Sequence, residues 1–202
     1  MTEDDHENAI TKSMTEFKEG LRRHEHPLQV VREFITHGSC TVISQAQHAL
    51  LRERVAAELS IHPNRDVYTV GSAKLGFSIK PSRRYGHFND ESDIDVAVVS
   101  AELYNRVWQE VRSFISSKEV WSNRRKDEFK RQHLVGRISP KTIPKGSSLL
   151  PSAEKLWELE IRLQRERIAG PYRVTFAIWH DMEALEGYQA KTVSDCQKME
   201  MI

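Results

Sequence analysis

The stretch VYTVGSAKLGFSIKPSRRYGHFNDESDIDVAVVS, Val67 to Ser100, places Asp93 and Asp95 inside an otherwise apolar run, downstream of a Gly71-Ser72 pair. Both ends of the stretch read as strands. Val67–Val70 is β-branched and aromatic and runs into a tight loop at Gly71, and Asp93–Val99 is apolar between its acids. The strand period of two puts Asp93 and Asp95 on one face and Ile94, Val96 and Val98 on the other. One face is therefore expected to pack a core while the opposite face presents paired carboxylates.

Like charges one pleat apart repel unless a cation sits between them, and hard oxygen ligands of this kind suit Mg²⁺ or Mn²⁺. The same pair also reads as a solvated strand face, or as acids satisfied by Arg83, Arg84 or a lysine. The company favours the metal. A strand ending in Gly71-Ser72 lets backbone N–H groups approach a phosphate with no Cβ in the way, and Ser72 adds a hydroxyl.

Outward from this stretch the chain alternates helix and strand. The segment from about Asn8 to Leu21 is polar with weak periodicity, and His26-Pro27 separates it from apolar Leu28–Ile35, which gives two helices. Over Ser44–Ile61, His48, Leu51, Val55 and Leu59 form one helical stripe. Ser100 caps a helix from Ala101 to about Ile115 that buries Leu103, Val107, Val111 and Phe114. A helix is expected near Arg124–Leu134, followed by an irregular connection. Pro151 opens another helix to about Arg167, with Leu156, Leu159 and Leu163 in line and Trp157 and Ile161 widening the stripe. Tyr172–Trp179 reads as a third strand and the residues after Asp181 as a terminal helix. The expected class is α+β (α/β): a small mixed sheet flanked by helices over 44–202, preceded by a helical extension over 1–43.

At 202 residues the chain can bury a proper core, and 30 Lys and Arg against 29 Asp and Glu do not announce a nucleic-acid protein. The charge is nevertheless uneven. Met1–Asn8 carries Glu3, Asp4, Asp5 and Glu7, whereas Trp121–Ser148 carries eight Lys or Arg against Asp127 and Glu128. That strip reads as a cover for phosphates, as a track for an RNA or DNA acceptor, or as a solvated helix face. Cys40 and Cys196 lack CxxC spacing and the N-terminus lacks a signal-peptide pattern, so two reduced thiols in a cytoplasmic protein are expected. No apolar run approaches the roughly 18 residues of a membrane helix. His24, His26 and His37 have no Cys or carboxylate at ligand spacing, which argues against zinc.

The central stretch resembles the nucleotidyltransferase superfamily of the DNA polymerase β type, whose signature is a hydrophobic strand, Gly-Ser, a spacer, and Asp-hydrophobic-Asp on the next strand. Here these are Val70-Gly71-Ser72 and Ser92-Asp93-Ile94-Asp95-Val96, with Gly76 and the Ser92-Asp93 flank as in small bacterial members. The resemblance covers Ser44 to about Ile115. It implies catalytic Asp93 and Asp95 holding Mg²⁺ or Mn²⁺, Gly71 and Ser72 on NTP phosphates, and Lys74 either beside them or solvated. It implies transfer of NMP from an NTP to a hydroxyl of a protein, a tRNA or a nucleotide. Small bacterial relatives serve toxin–antitoxin or antiphage systems, with a partner protein from the same operon.

Two departures stand out. The spacer is long, and its extra part, Ile79–Phe88, carries Arg83, Arg84 and Tyr85, either as a phosphate- or nucleic-acid-binding loop with Tyr85 as a stacking face or as a plain hairpin loop. The family's third carboxylate, on a later strand, has no counterpart within Tyr172–Trp179; Asp181 and Glu183 lie just past its end. Asp181 reads either as the substitute or as the cap of the last helix. The missing acid leaves a second reading open: an inactive module that binds nucleotide, nucleic acid or a partner without turnover. In a third, the chain is a structural or regulatory domain.

Overall fold

The computed structural model describes residues 3–117 and 119–200. The side chains of the acidic run at Met1–Asn8 fall mostly outside that description.

Four strands form one mixed sheet in the order β1-β2-β4-β3: β1 (Val67–Val70), β2 (Asp93–Val99), β3 (Arg137–Ile138) and β4 (Arg173–Trp179). β1 runs antiparallel to β2, with Val70 opposite Asp95, and β4 runs parallel to β2, with Arg173 opposite Asp93 and Thr175 opposite Asp95. The short β3 closes the far end, with Arg137 opposite Trp179. The fold is α+β, a small mixed sheet flanked by helices.

Alternation along the strands sorts the side chains as expected. Ile94, Val96 and Val98, with Val174, Phe176 and Ile178, are buried against α3 (Gln45–Leu59), α5 (Ala101–Ser116) and α7 (Pro151–Glu166). The stripes of those helices fall inward: Leu51 and Val55, Val107 and Val111, and Leu156 and Leu163 are all buried. Ser44 starts α3 with a capping box that includes Gln47, and Ser100 caps α5 through the N–H of Leu103. Ile161 departs from the expectation: it is 46% exposed, because the stripe on α7 is narrow and Ile161 lies off its axis.

The opposite face is covered as well. α1 (Glu3–Arg23), α2 (Pro27–Val30) with the π-helical segment Val31–Thr36, and α8 (Met182–Glu200) pack on it. Ile10, Phe17, Leu21, Val30, Val31 and Ile35 join Val70, Ala97, Ala177, Leu185 and Val193 in a second core. The segment 1–43 thus shares its hydrophobic contacts with the sheet and α8. Arg32 adds a two-pronged hydrogen bond to the buried carboxylate of Glu186, at 2.9–3.2 Å. Each fully buried large side chain of this layer contributes about 1.5–3 kcal/mol relative to exposure.

Where a loop was expected after β1, the chain makes one tight helical turn, α4 (Gly71–Leu75), and leaves it at Gly76 with φ +85. Beyond it, Phe77 bridges His87, and Tyr85 N–H bonds the carbonyl of Ser78, so the insertion folds into a compact flap. No helix among the described residues is long and apolar enough to cross a membrane.

Candidate functional site

The face of β2 that carries the aspartates is covered by helices only along part of its length. Alanines at 97 and 177 keep the floor low, and a cavity of about 490 Å³ remains between the sheet and its cover. Gly71, Ser72, Asp95 and Thr175 line one end, with Lys80 and Arg83 of the flap at the rim; Arg137, Trp179, Tyr188 and Gln189 line the other.

At the first end the Gly-Ser turn lies directly on an acid. Gly71 has φ +70, and a Cβ built there would stand 3.1 Å from Asp95 Oδ2, so this position uses both freedoms of glycine: the left-handed backbone and the missing side chain. Asp95 Oδ1 accepts the hydroxyl hydrogen of Thr175 at 2.8 Å. Asp93 is held differently. Arg173 donates to both of its oxygens, Nε to Oδ1 at 2.7 Å and Nη2 to Oδ2 at 2.8 Å, and Lys141 Nζ stands 3.7 Å from Oδ2. The expected charge partners Arg83 and Arg84 therefore play no part at Asp93; the cations come from β4 and from the turn after β3.

Asp95, Gly71, Ser72 and Arg83 line this end, whereas Asp93 lies one pleat away in the grip of Arg173, outside the lining, and Lys74, Arg84, Tyr85 and Asp181 do not join them. Lys74 turns into the protein. Its Nζ donates to the carbonyl of Gly38 at 2.6 Å, it is buried, and burial first of all lowers its ammonium pKa to about 8. Arg84 lies over the ring of Tyr85, 5.2 Å from its centroid, outside the cavity lining. Tyr85 is not a free stacking face: its ring packs near Phe77, lies 4.2 Å from Lys18 Nζ, and its hydroxyl donates to Glu200. Asp181 sits two residues past the other end of β4, whose last residue, Trp179, is six register steps from the Asp93–Arg173 pair, or about 20 Å at the rise of a strand. There it accepts the N–H of Ala184 as the cap of α8 and pairs with His180, whose hydrogen bond chiefly holds its carboxyl below the usual range.

The place beside the aspartates where the family's third acid was sought is filled by Arg173 and Thr175. A further carboxylate approaches from the outer edge of β4: Glu160 on α7 accepts the N–H of Phe176 at 3.0 Å. Burial pushes its carboxyl up, opposed by that hydrogen bond and by the charges of Lys141, Lys145 and Arg173. No group of three or more His, Cys, Asp or Glu converges among the described residues, and His24 is bonded to Glu33 instead.

The donor set at Asp95 is all oxygen: its own carboxylate with the hydroxyls of Thr175 and Ser72 nearby, the carboxylate of Asp93 one pleat away, and no side chain at Gly71 to press on Asp95. Such a set fits Mg²⁺ or Mn²⁺, with water and phosphate completing the shell, and suits zinc poorly.

The far end has different chemistry. The rings of Trp179 and Tyr188 meet at 5.2 Å, and the Arg137 guanidinium lies 5.7 and 5.8 Å from their centroids. Trp179 is 2% exposed, yet its indole N–H has no partner. A buried donor without an acceptor beside a cavity is what a planar polar ligand would satisfy.

Sequence reasoning overlooked Arg173, Thr175 and Glu160, and took Arg137 and Lys141 only as part of the cationic strip. A signal existed for the first two: the period-two reading of β4 places Arg173, Thr175 and Ala177 on one face. Only the parallel register shows that this is the face of the aspartates. The cationic strip divides: Arg124 and Arg125 on α6 (Asn123–His133) are exposed, whereas Arg137 and Lys141 reach the site.

No protein-family model matches the chain, and no match was found among curated proteins or solved structures.

Proposed function

We propose that this protein is a metal-dependent nucleotidyltransferase that moves a nucleoside monophosphate from an NTP to an acceptor hydroxyl. The observation that carries the reading is the contact of the Gly71-Ser72 turn with Asp95 at one end of a cavity of about 490 Å³. Asp93 and Asp95 would hold Mg²⁺ or Mn²⁺, which when bound supplies charge neutralisation at the phosphates and activation of the acceptor oxygen. Gly71 offers its backbone and Ser72 its hydroxyl to phosphate oxygens, and Lys80 and Arg83 at the rim add positive charge. Ala97 and Ala177 give the sugar a low floor, and Trp179, Tyr188 and Arg137 offer the base two rings and a guanidinium. Held in this way, the α-phosphorus forms a bond to the acceptor oxygen as its bond to pyrophosphate breaks. The acceptor is a protein, a tRNA end or a second nucleotide, and a bacterial toxin–antitoxin or antiphage setting with a partner protein accords with the resemblance of the motif.

One observation favours a second reading, a nucleotide-binding module without turnover: Arg173 stands where an acid would help deprotonate the acceptor. Incubation with each α-phosphate-labelled NTP in Mg²⁺ or Mn²⁺, with tRNA and cell lysate as acceptors, separates the two. Transfer lost in Asp93→Ala/Asp95→Ala supports catalysis; metal-dependent NTP binding without transfer supports the module; neither would sink both.

A further inference from the structure

The two aspartates of the site are not equivalent. Among the described residues Asp95 hydrogen-bonds a neutral group, the Thr175 hydroxyl, and lies against Gly71, with no cation paired to it. Asp93 has both oxygens occupied by the fork of Arg173, and Lys141 stands beside it. The guanidinium fork takes one lone pair of each Asp93 oxygen, and a divalent ion placed on the remaining pairs would meet the positive charge of Arg173. The paired acids therefore disfavour a free metal ion.

The pair is built to open. The Arg173 side chain is 65% exposed while that of Asp93 is 22% exposed, so the arginine can leave while the acid keeps its place. Arg173 and Thr175 are neighbours on the same strand face, and Thr175 lines the cavity beside Gly71 and Ser72. A polyphosphate on that turn brings several negative charges within reach of a guanidinium whose planar fork suits phosphate as well as carboxylate.

We propose that Arg173 is a substrate-binding residue that exchanges Asp93 for the polyphosphate of the nucleotide, so that the metal site forms only when metal and polyphosphate arrive together. The inference rests on the nucleotidyltransferase reading and deepens it: the ligand is a metal–polyphosphate complex, and neither component alone is bound well. Because the two ligands act through one residue, their coupling is reciprocal.

The test uses the full chain and two probes, Mn²⁺ alone, followed by the electron-spin signal of the free ion, and inorganic tripolyphosphate in EDTA. Arg173→Met keeps the apolar stem and removes the fork. It is expected to bind Mn²⁺ about tenfold or more tightly than the unmodified protein, and metal-free tripolyphosphate about tenfold more weakly. A merely structural role would weaken both, so the opposite signs identify the exchange. Arg173→Lys, which retains the charge without the fork, is expected to fall between the two and guards against a folding defect in Arg173→Met. If the unmodified protein binds Mn²⁺ alone as tightly as Arg173→Met does, the exchange is overturned while the nucleotidyltransferase reading stands. If no form binds either probe, alone or together, both fall.

Discussion

Gly71 is where conformation and chemistry meet in one residue. With φ +70 and Asp95 Oδ2 3.1 Å from where a Cβ would be, alanine there costs about 1–2 kcal/mol of backbone energy and also presses on a carboxylate. Gly146 separates the two effects, since it has φ +79 and nothing within 4 Å of an added Cβ. Gly146→Ala should lower stability in urea unfolding by a similar amount and leave Mn²⁺–nucleotide binding unchanged, whereas Gly71→Ala should lose both. Equal binding by the two variants would remove Gly71 from the site. At this scale part was legible in the chain itself: residue type and spacing single out Gly71, Ser72, Asp93 and Asp95, and the structure sets the Gly71-Ser72 turn beside Asp95, with Asp93 one pleat away on Arg173. Lys74 was misplaced because the next turn carries it inward, and nothing in the spacing from Ser72 reveals that the carbonyl of Gly38 awaits it.

At the scale of elements, periodicity identified β1, β2, β4 and the inward stripes of α3, α5 and α7, because burial on one side leaves a repeat that can be counted. It missed β3, which has two residues and no room for a repeat, and could not give the register that sets Arg173 against Asp93. His48 shows what a stripe conceals. It follows the apolar repeat of α3 and is buried, but its Nε2 has no partner, and burial, followed by the charges of Arg52 and Lys74, lowers its pKa to about 4. A base with a depressed folded pKa makes the unfolded chain the better proton binder between pH 4 and 6.5. Stability is therefore full above pH 6.5 and falls as the pH drops towards 4. From this group alone, urea unfolding should show a loss of about 2 kcal/mol between pH 7 and pH 5. His48→Leu should remove that share of the pH dependence; an unchanged slope would show that His48 is protonated at little cost.

For the whole molecule, the decisive feature is a sheet packed on both faces, with the cavity left between β2 and its helical cover. The N-terminal segment looked like an arm in the sequence because α1 is polar with weak periodicity, yet Phe17 is fully buried and meets Phe34 and Phe77 at 5.6 Å each. Removal of residues 1–43 would uncover Val70 on β1 and the face of α8 that carries Leu185 and Val193. The shortened chain should lose its cooperative thermal transition and bind no nucleotide. A sharp melt from residues 44–202 alone would show that the first core suffices.

The parallel pairing of β2 with β4 also sets a timetable. Asp93 and Arg173 are 80 positions apart, and every residue between them must be made before the sheet can close. At a synthesis rate of about 5–20 residues per second, the two aspartates leave the ribosome roughly 4–16 s before the arginine that holds one of them. The central strand pair is thus among the last contacts a nascent chain can make, and α8, which roofs the far end of the cavity, is made later still. A newborn chain carries its paired aspartates long before it has a cavity, so the cavity is born with the last strand and helix and not with the motif.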